Sequence, residues 1–559
     1  MTGPITDFSG SFGKPWQQFA LGSFNADNVT THETTGFTGP DTLNAKEAYM
    51  ADAMLQYTAT HDSLTVWWDR PDDAGAKRHY RVMVNGEMER ETTVTHCTIR
   101  GLQPSQTYRV AVRLDADGSG RFHGLASVEA RTTAVKRVID VTQPPYYAVG
   151  DGRKLNTAAI QQALDNCDAD SVVVIPAGTF LTGALRMHSH TDLVVSKDAT
   201  LQGTTDPADY EPYIRSWFEG IEMNCLSSLI NIGELDHDGP ANVTDVTIRG
   251  EGAILSGGRE LMRNVIDREK QRIRDGRSTA PAAVGRPDGD DTVPGRVRPR
   301  LINMSNASRV TIAGLTLGQS ASWNVHMIYS DHIVTYGCTF RSKGVFNGDG
   351  WDPDSCEDCT IFDCAFETGD DAIAIKSGKN PEGNVINRPC RNIRIFDCRA
   401  TFGFGITLGS EMSGGIANVR IWDCDMSSTS FGLEIKATRK RGGYVRDVRA
   451  YDSTFSHIQL HGVPYNDDGE DSGHVPEFED MLFDNVRIED RFPAASDARG
   501  KGRDIEVCGF DAEHPAHDIT FRNLTIASTQ PGDIDPNANG MGNIRLQFAR
   551  DISFTGDCA

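Results

Sequence analysis

Carboxylates crowd the stretch from Asn347 to Gly378, NGDGWDPDSCEDCTIFDCAFETGDDAIAIKSG. Asp349, Asp352 and Asp354 come first, and Asp370 and Asp371 follow, 21 residues after Asp349. Both clusters adjoin glycines and precede strand-like runs, Thr360-Ile361-Phe362 and Ala372-Ile373-Ala374-Ile375-Lys376. If about 21 residues make one coil of a repeat fold, the clusters lie one above the other on one face. Stacked carboxylates repel each other, so at least one should hold its proton to unusually high pH. A protonated acid beside ionised carboxylates is the equipment for cleaving a glycosidic bond.

The elements that must position these acids repeat. A short strand ending in a small or polar residue recurs from Val246–Gly250 through Val310–Gly314, Val334–Cys338, Thr360–Cys364, Ile395–Cys398 and Ile421–Cys424. It continues through Ala450–Ser453, Leu482–Asn485, Thr520–Asn523 and Ser553–Gly556. From position 314 the spacings run from 24 to 38 residues. A unit of that size cannot bury itself alone, so repetition signals a solenoid. A constant strand pattern with uneven spacing predicts a parallel β-helix, all-β, with loops of unequal length on one face. Cys338, Cys364, Cys398 and Cys424 fall at one rung position and read as a buried ladder of thiols. Cys356 and Cys359 have C-x-x-C spacing but no second pair at zinc-finger distance. His457 and His461 read as rung or loop residues. No metal site and no cofactor are expected.

Residues 1–45, rich in Gly, Thr, Asn and Asp, read as an irregular N-terminal segment. Residues 46–135 show period-2 strands, such as Ser63–Trp68 and Tyr80–Val84, with turn signals every ~8–12 residues, the pattern of a small β-sandwich. Residues 136–559 form the solenoid, opened by an amphipathic helix over Thr157–Leu164 with Asn156 at its cap. One gap between repeats reaches 64 residues and holds the charged, Pro- and Gly-rich stretch 260–300. That stretch is expected to be a surface loop, or a lid that closes one end of a cleft.

The net charge of −23 argues against nucleic acid or an anionic membrane as partner. No run of ~18 apolar residues and no signal-peptide pattern occur, so a cytoplasmic location is expected, with an oligosaccharide or glycoside as substrate. Composition leaves the oligomeric state open.

At the acid clusters the chain resembles glycoside hydrolase family 28, the polygalacturonase family of pectin-degrading β-helices, over about 136–559. That family carries the motifs N-T-D, D-D, G-H-G and R-I-K in order. Here Asn347-Gly348-Asp349 stands at the first and Gly369-Asp370-Asp371 at the second. Gly403-Phe404-Gly405 stands at the third and Glu434-Ile435-Lys436 at the fourth. The run Ser410-Glu411-Met412-Ser413-Gly414-Gly415 is similar to bacterial exo-acting members. The run Leu102–Tyr108 resembles the tyrosine corner of fibronectin type III domains, and Trp68 their core tryptophan.

The family resemblance implies an inverting single displacement: Asp370 protonates the leaving oxygen, and Asp349 and Asp371 activate water. Asn347, Phe404, Glu434 and Lys436 would contact substrate, with Tyr465 and Asp352 as further candidate contacts. Turn capping or calcium binding at the surface is equally open to Asp352 and Asp354. Adjacent strand residues point to opposite sides, so the backbone must leave the strand at Gly369 for Asp370 and Asp371 both to face the cleft. In the family the Arg and Lys of the last motif bind a galacturonate carboxylate. Glu434 in place of Arg needs compensation, for which Arg439, Lys440 and Arg441 are near in sequence. Phe404 in place of His offers an apolar platform. Both changes suit an altered leaving-group subsite, with pectic oligosaccharides or plant-derived glycosides as substrates. A pectate-lyase-like eliminase and a non-catalytic carbohydrate-binding β-helix are the alternatives.

Overall fold

A computed structural model describes residues 55–72, 78–277, 294–464, 469–492, 503–527 and 544–558. The expected N-terminal segment and Tyr465 lie outside these residues. Three large parallel sheets of 13, 12 and 11 strands run side by side. Each full coil gives one strand to each, which makes a parallel β-helix. We call them the back, side and front sheets.

All ten recurrent units of the sequence are strands of the back sheet, from Val243–Gly250 to Ala549–Thr555. Period 2 decides which residues fill the bore. In the front sheet Ile302, Val325, Trp351, Ile373, Ile406, Leu433 and Ile458 pair in succession, and all are buried. β-Branched and aromatic side chains suit this continuous inner wall, each contributing roughly 1.5–3 kcal/mol on burial. The cysteine ladder is present as thiols: Cys338, Cys364, Cys398 and Cys424 are buried and unbridged. The Cys338 amide donates to Cys364 Sγ at 3.4 Å.

The helix over Thr157–Asp165 forms, but Asn156 does not cap it with its side chain. Its amide binds the Val149 N–H and the Val149 and Lys154 carbonyls instead, pinning the preceding turn. The stretch read as a charged loop begins as a second helix, Gly258–Arg274, with Leu261 and Val265 buried. Leu261 and Val265, with Met262 packed beside them, seat it on the core, while most of its other residues are polar or charged. Its Glu269 takes the Tyr213 hydroxyl at 3.2 Å.

The N-terminal strands make two antiparallel sheets of three and four strands. Trp68 is buried, and the Tyr108 hydroxyl accepts the Gln103 N–H at 2.9 Å. This sandwich stands on the outward face of the back sheet. There Tyr336, Phe362, Phe396 and Trp422 stack with centroids 4.3–5.1 Å apart, and Trp67 covers Phe362 at 5.6 Å. Arg78 closes the edge, binding Asp423 at 2.5 Å and Asp452 at 2.6 Å.

Candidate active site

The acids collect where coils turn into the front sheet. Trp351 pairs with Ile373, so Asp349 and Asp371, each two residues earlier, fall one above the other. Asp370 and Asp371 lie in a bend between strands Ala365–Glu367 and Ile373–Ile375. The pairing register shifts just before that bend, between Phe366 and Glu367. Gly369 makes the bend possible, because a Cβ there would stand 2.0 Å from the Val345 carbonyl oxygen. The two acids are therefore freed from strand alternation.

Each acid has its own support. The Thr407 hydroxyl donates to Asp371 Oδ1 at 2.6 Å. Asn324 Nδ2 holds the Asp349 carbonyl at 2.7 Å. Lys376 Nζ reaches Asp349 Oδ2 at 3.3 Å, whereas Asp349 Oδ1 is buried without a protein partner. Asp370 keeps part of its surface accessible, and Asp349 and Asp371 are buried.

Burial and mutual repulsion raise all three carboxyls, but unequally. Asp370 is pushed well above the ordinary carboxylate range by burial, then by Asp349 and Asp371. Asp371 rises to about 7 through burial, restrained by Lys436. Asp349 is raised by burial and held down by Lys376. One acid keeps its proton while its neighbours ionise more readily, the division that acid–base hydrolysis requires.

The structure changes the reading of several neighbours. Asp352 and Asp354 are not surface residues: both are 0% exposed on strand Trp351–Asp354. Asp352 lies 4.0 Å from Lys376 Nζ, and Asp354 lies 3.5 Å from His326 Nε2. Burial pushes Asp354 up to about 7. Trp323 and His326, for which the sequence suggests a place lining the cleft, are likewise buried. Asn347 is half-buried, and its Oδ1 accepts from Arg298 at 2.7 Å. Phe404 is half-buried and packs edge-on to Phe431 at 5.2 Å.

Glu434 is compensated, but not by the expected cations. Lys436 Nζ binds Glu434 Oε2 at 2.7 Å, and His461 Nε2 binds Oε1 at 2.9 Å. Burial would raise Glu434, yet Lys436 and His461 hold it at about 2. Arg439 instead pairs with Asp511, Lys440 is exposed, and Arg441 is buried on Asn380 at 2.7 Å. Strand register explains this. Glu434, Lys436 and His461 share the outward face of adjacent front strands, whereas 439–441 lie beyond the strand end.

Sequence reasoning gave no role to Lys376 or Thr407, and read His461 only as a rung or loop residue, which its strand Ile458–Gly462 makes a rung. Their signal was period 2. Lys376 bridges to Asp354, Thr407 pairs with Glu434, and Lys436 pairs with His461. Among the described residues no group of three or more His, Cys, Asp or Glu has metal-binding geometry.

Residues 285–534 match the model of glycosyl hydrolases family 28, and residues 54–126 match that of the fibronectin type III domain. The family 28 match lies within the β-helix and includes Asp349, Asp370 and Asp371. A probable polygalacturonase of Vitis vinifera is 34% identical over 54% of this chain and 57% of its own length. An exo-poly-alpha-D-galacturonosidase of Dickeya chrysanthemi is 24% identical over 84% of this chain and 86% of its own. A family 28 exopolygalacturonase of Yersinia enterocolitica shares the fold at a TM-score of 0.72 and 20% identity, covering 89% of this chain and 98% of that one. The chain is a glycoside hydrolase, with the acids of the front sheet as its candidate machinery.

Proposed function

We propose that this chain is an inverting, exo-acting hydrolase of pectic oligosaccharides, taking galacturonate units from chain ends. The carrying observation is the stacking of Asp349 on the bend that holds Asp370 and Asp371, with the Asp370 carboxyl raised furthest of the three. In the proposed step the Asp370 carboxyl gives its proton to the glycosidic oxygen as the bond to the anomeric carbon breaks. Water attacks that carbon from the opposite face and passes a proton to the Asp349–Asp371 pair. Asp370 is then ionised and the Asp349–Asp371 pair carries a proton; loss of that proton to solvent and uptake of one by Asp370 resets the site.

Two observations support action at ends. A hairpin of strands Tyr213–Phe218 and Ile221–Leu226, part of none of the three coil sheets, packs on the segment after the acids. Its Gly220 carbonyl accepts the Lys379 N–H at 3.0 Å, and Trp217 meets Tyr329 edge-on at 5.3 Å. This wall stands beside the front-sheet floor. The relatives from Dickeya and Yersinia named above are exo-acting enzymes by name.

The leaving-group side is altered. Lys436 is already matched by Glu434, so less positive charge is left for a uronate carboxylate. Phe404 adds an apolar face beside it. The test is product analysis on galacturonate oligomers alongside rhamnogalacturonan fragments and neutral phenolic glycosides. Release of single terminal galacturonates is expected, with tolerance of a neutral residue on the leaving side. Mid-chain cutting, or no preference for an end, would overturn the exo reading.

A further inference from the structure

Lys376 is an enclosed cation of the site. It ends the run Ala372–Lys376 and its strand position pairs with Asp354. Its side chain is 6% exposed, and Nζ lies over the Trp323 ring at 4.1 Å. Trp323 is itself fixed, stacked on Phe218 at 4.6 Å and edge-on to His326 at 4.6 Å. The ammonium therefore has one well-defined place.

Carboxylates converge on it from each neighbouring coil. Asp349 is 3.3 Å away and Asp352 4.0 Å. Asp354 comes from the same strand as Asp352, Asp370 and Asp371 from its own coil, and Glu411 from the next. The facing group on the remaining side is His326, which burial, Arg300 and Lys376 hold well below its ordinary value, hence neutral. Burial would discharge the amine, but Asp352, Asp349, Glu411 and Asp371 more than offset it, and it stays charged.

We propose that Lys376 is a positioning residue of this site: by bonding Asp349 Oδ2 from within the coil it keeps Asp349 ionised, leaves Oδ1 for water, and so assigns the proton to Asp370. This rests on the hydrolytic reading given above. Three equivalent buried acids would share protons among themselves; a cation bonded to one of them breaks the symmetry. Neither side-chain oxygen of Asp352 has a protein hydrogen-bond partner, and burial pushes its carboxyl well above the carboxylate range, so Asp352 does not compete with Asp349 for the ammonium.

The experiment is the pH profile of kcat/KM for wild type, Lys376→Met and Lys376→Arg on galacturonate trimer, with Tm measured alongside. Removing an opposite charge at this distance raises a carboxylate by roughly 1–3 units. The acid limb, which reports ionisation of the base, should therefore move up by about one unit or more in Lys376→Met. At the optimum, kcat should fall at least ~10-fold with KM within about threefold. Lys376→Arg should restore the limb to within about 0.3 unit even if kcat stays low. If Lys376→Met does not fold, that arginine profile decides alone, and a displaced limb rejects the role. Equal limbs in wild type and folded Lys376→Met, or the same limb displacement in both variants, would reduce Lys376 to packing. No hydrolysis by wild type would sink this inference and the function together; hydrolysis with an unmoved limb would sink the inference only.

Discussion

The outward faces of the front and back sheets are made by the same coils, yet they carry opposite chemistry. On the back sheet the outward positions are Tyr336, Phe362, Phe396, Trp422 and Tyr451, one per coil. On the front sheet they are His326, Asp352, Thr407, Glu434 and Gln459, with Asp354, Lys376, Lys436 and His461 beside them. One face pairs like with like, and its aromatic stack is covered by the N-terminal sandwich. The other holds unlike charges over a floor with orphaned polar atoms, including both Asp352 oxygens and His326 Nδ1. Stability and reactivity are thus placed on different sides of one bore. Buried polar groups without partners oppose folding, and active sites are where such a cost is retained.

If this division is right, each face should respond differently to substitution. Asp370→Asn should cost roughly 10²–10⁴ in kcat, read on oligogalacturonides. Its Tm should stay level, because a carboxyl that already holds its proton is replaced by a neutral group of similar size. On the back face, Phe362→Ala should cost about 3–5 kcal/mol in denaturant unfolding, while kcat stays within about twofold. A large kcat loss there, with the protein still folded, would break the separation.

A pH experiment sharpens it. Asp354 is held at about 7, far above its unfolded value, so the folded state binds its proton more tightly. The stability from that protonation is present at low pH and is lost as pH rises from about 4 to about 7. Asp354→Asn should remove the dependence, gaining on wild type by at most about 4 kcal/mol across that window. Parallel stability curves for the two proteins would contradict the assignment.

Smaller effects follow. Glu434→Gln should free the charge of Lys436 and lower KM for galacturonate oligomers about three- to tenfold, with kcat little changed. An unchanged KM would mean that Lys436 does not face the uronate. Arg81→Ala, which removes an exposed pair with Glu91 in the sandwich, should shift stability by less than about 1 kcal/mol and leave activity intact.

How much of this the residues foretold depends on the kind of order involved. The β-helix was legible because a strand of fixed pattern recurs whatever the loop lengths, and the cysteines marked one rung. The acids were legible because their spacing matches a coil. Partners across coils were not. Glu434 finds Lys436 and His461 through register, whereas sequence proximity pointed to Arg439–Arg441. The helix Gly258–Arg274 was masked by its charge, since only a narrow stripe with Leu261 and Val265 is buried. Asp352 and Asp354 read as surface acids because nothing local announces that Lys376 and His326 lie beside them.

The central claim is that the front-face acids carry out a single displacement. The most direct measurement is proton NMR of the first product formed from galacturonate oligomers, wild type against Asp370→Asn. The account predicts that the earliest anomeric signal has the configuration opposite to that of the cleaved bond, and that Asp370→Asn abolishes it. A first product of retained configuration, an unsaturated product, or undiminished turnover by Asp370→Asn would contradict it.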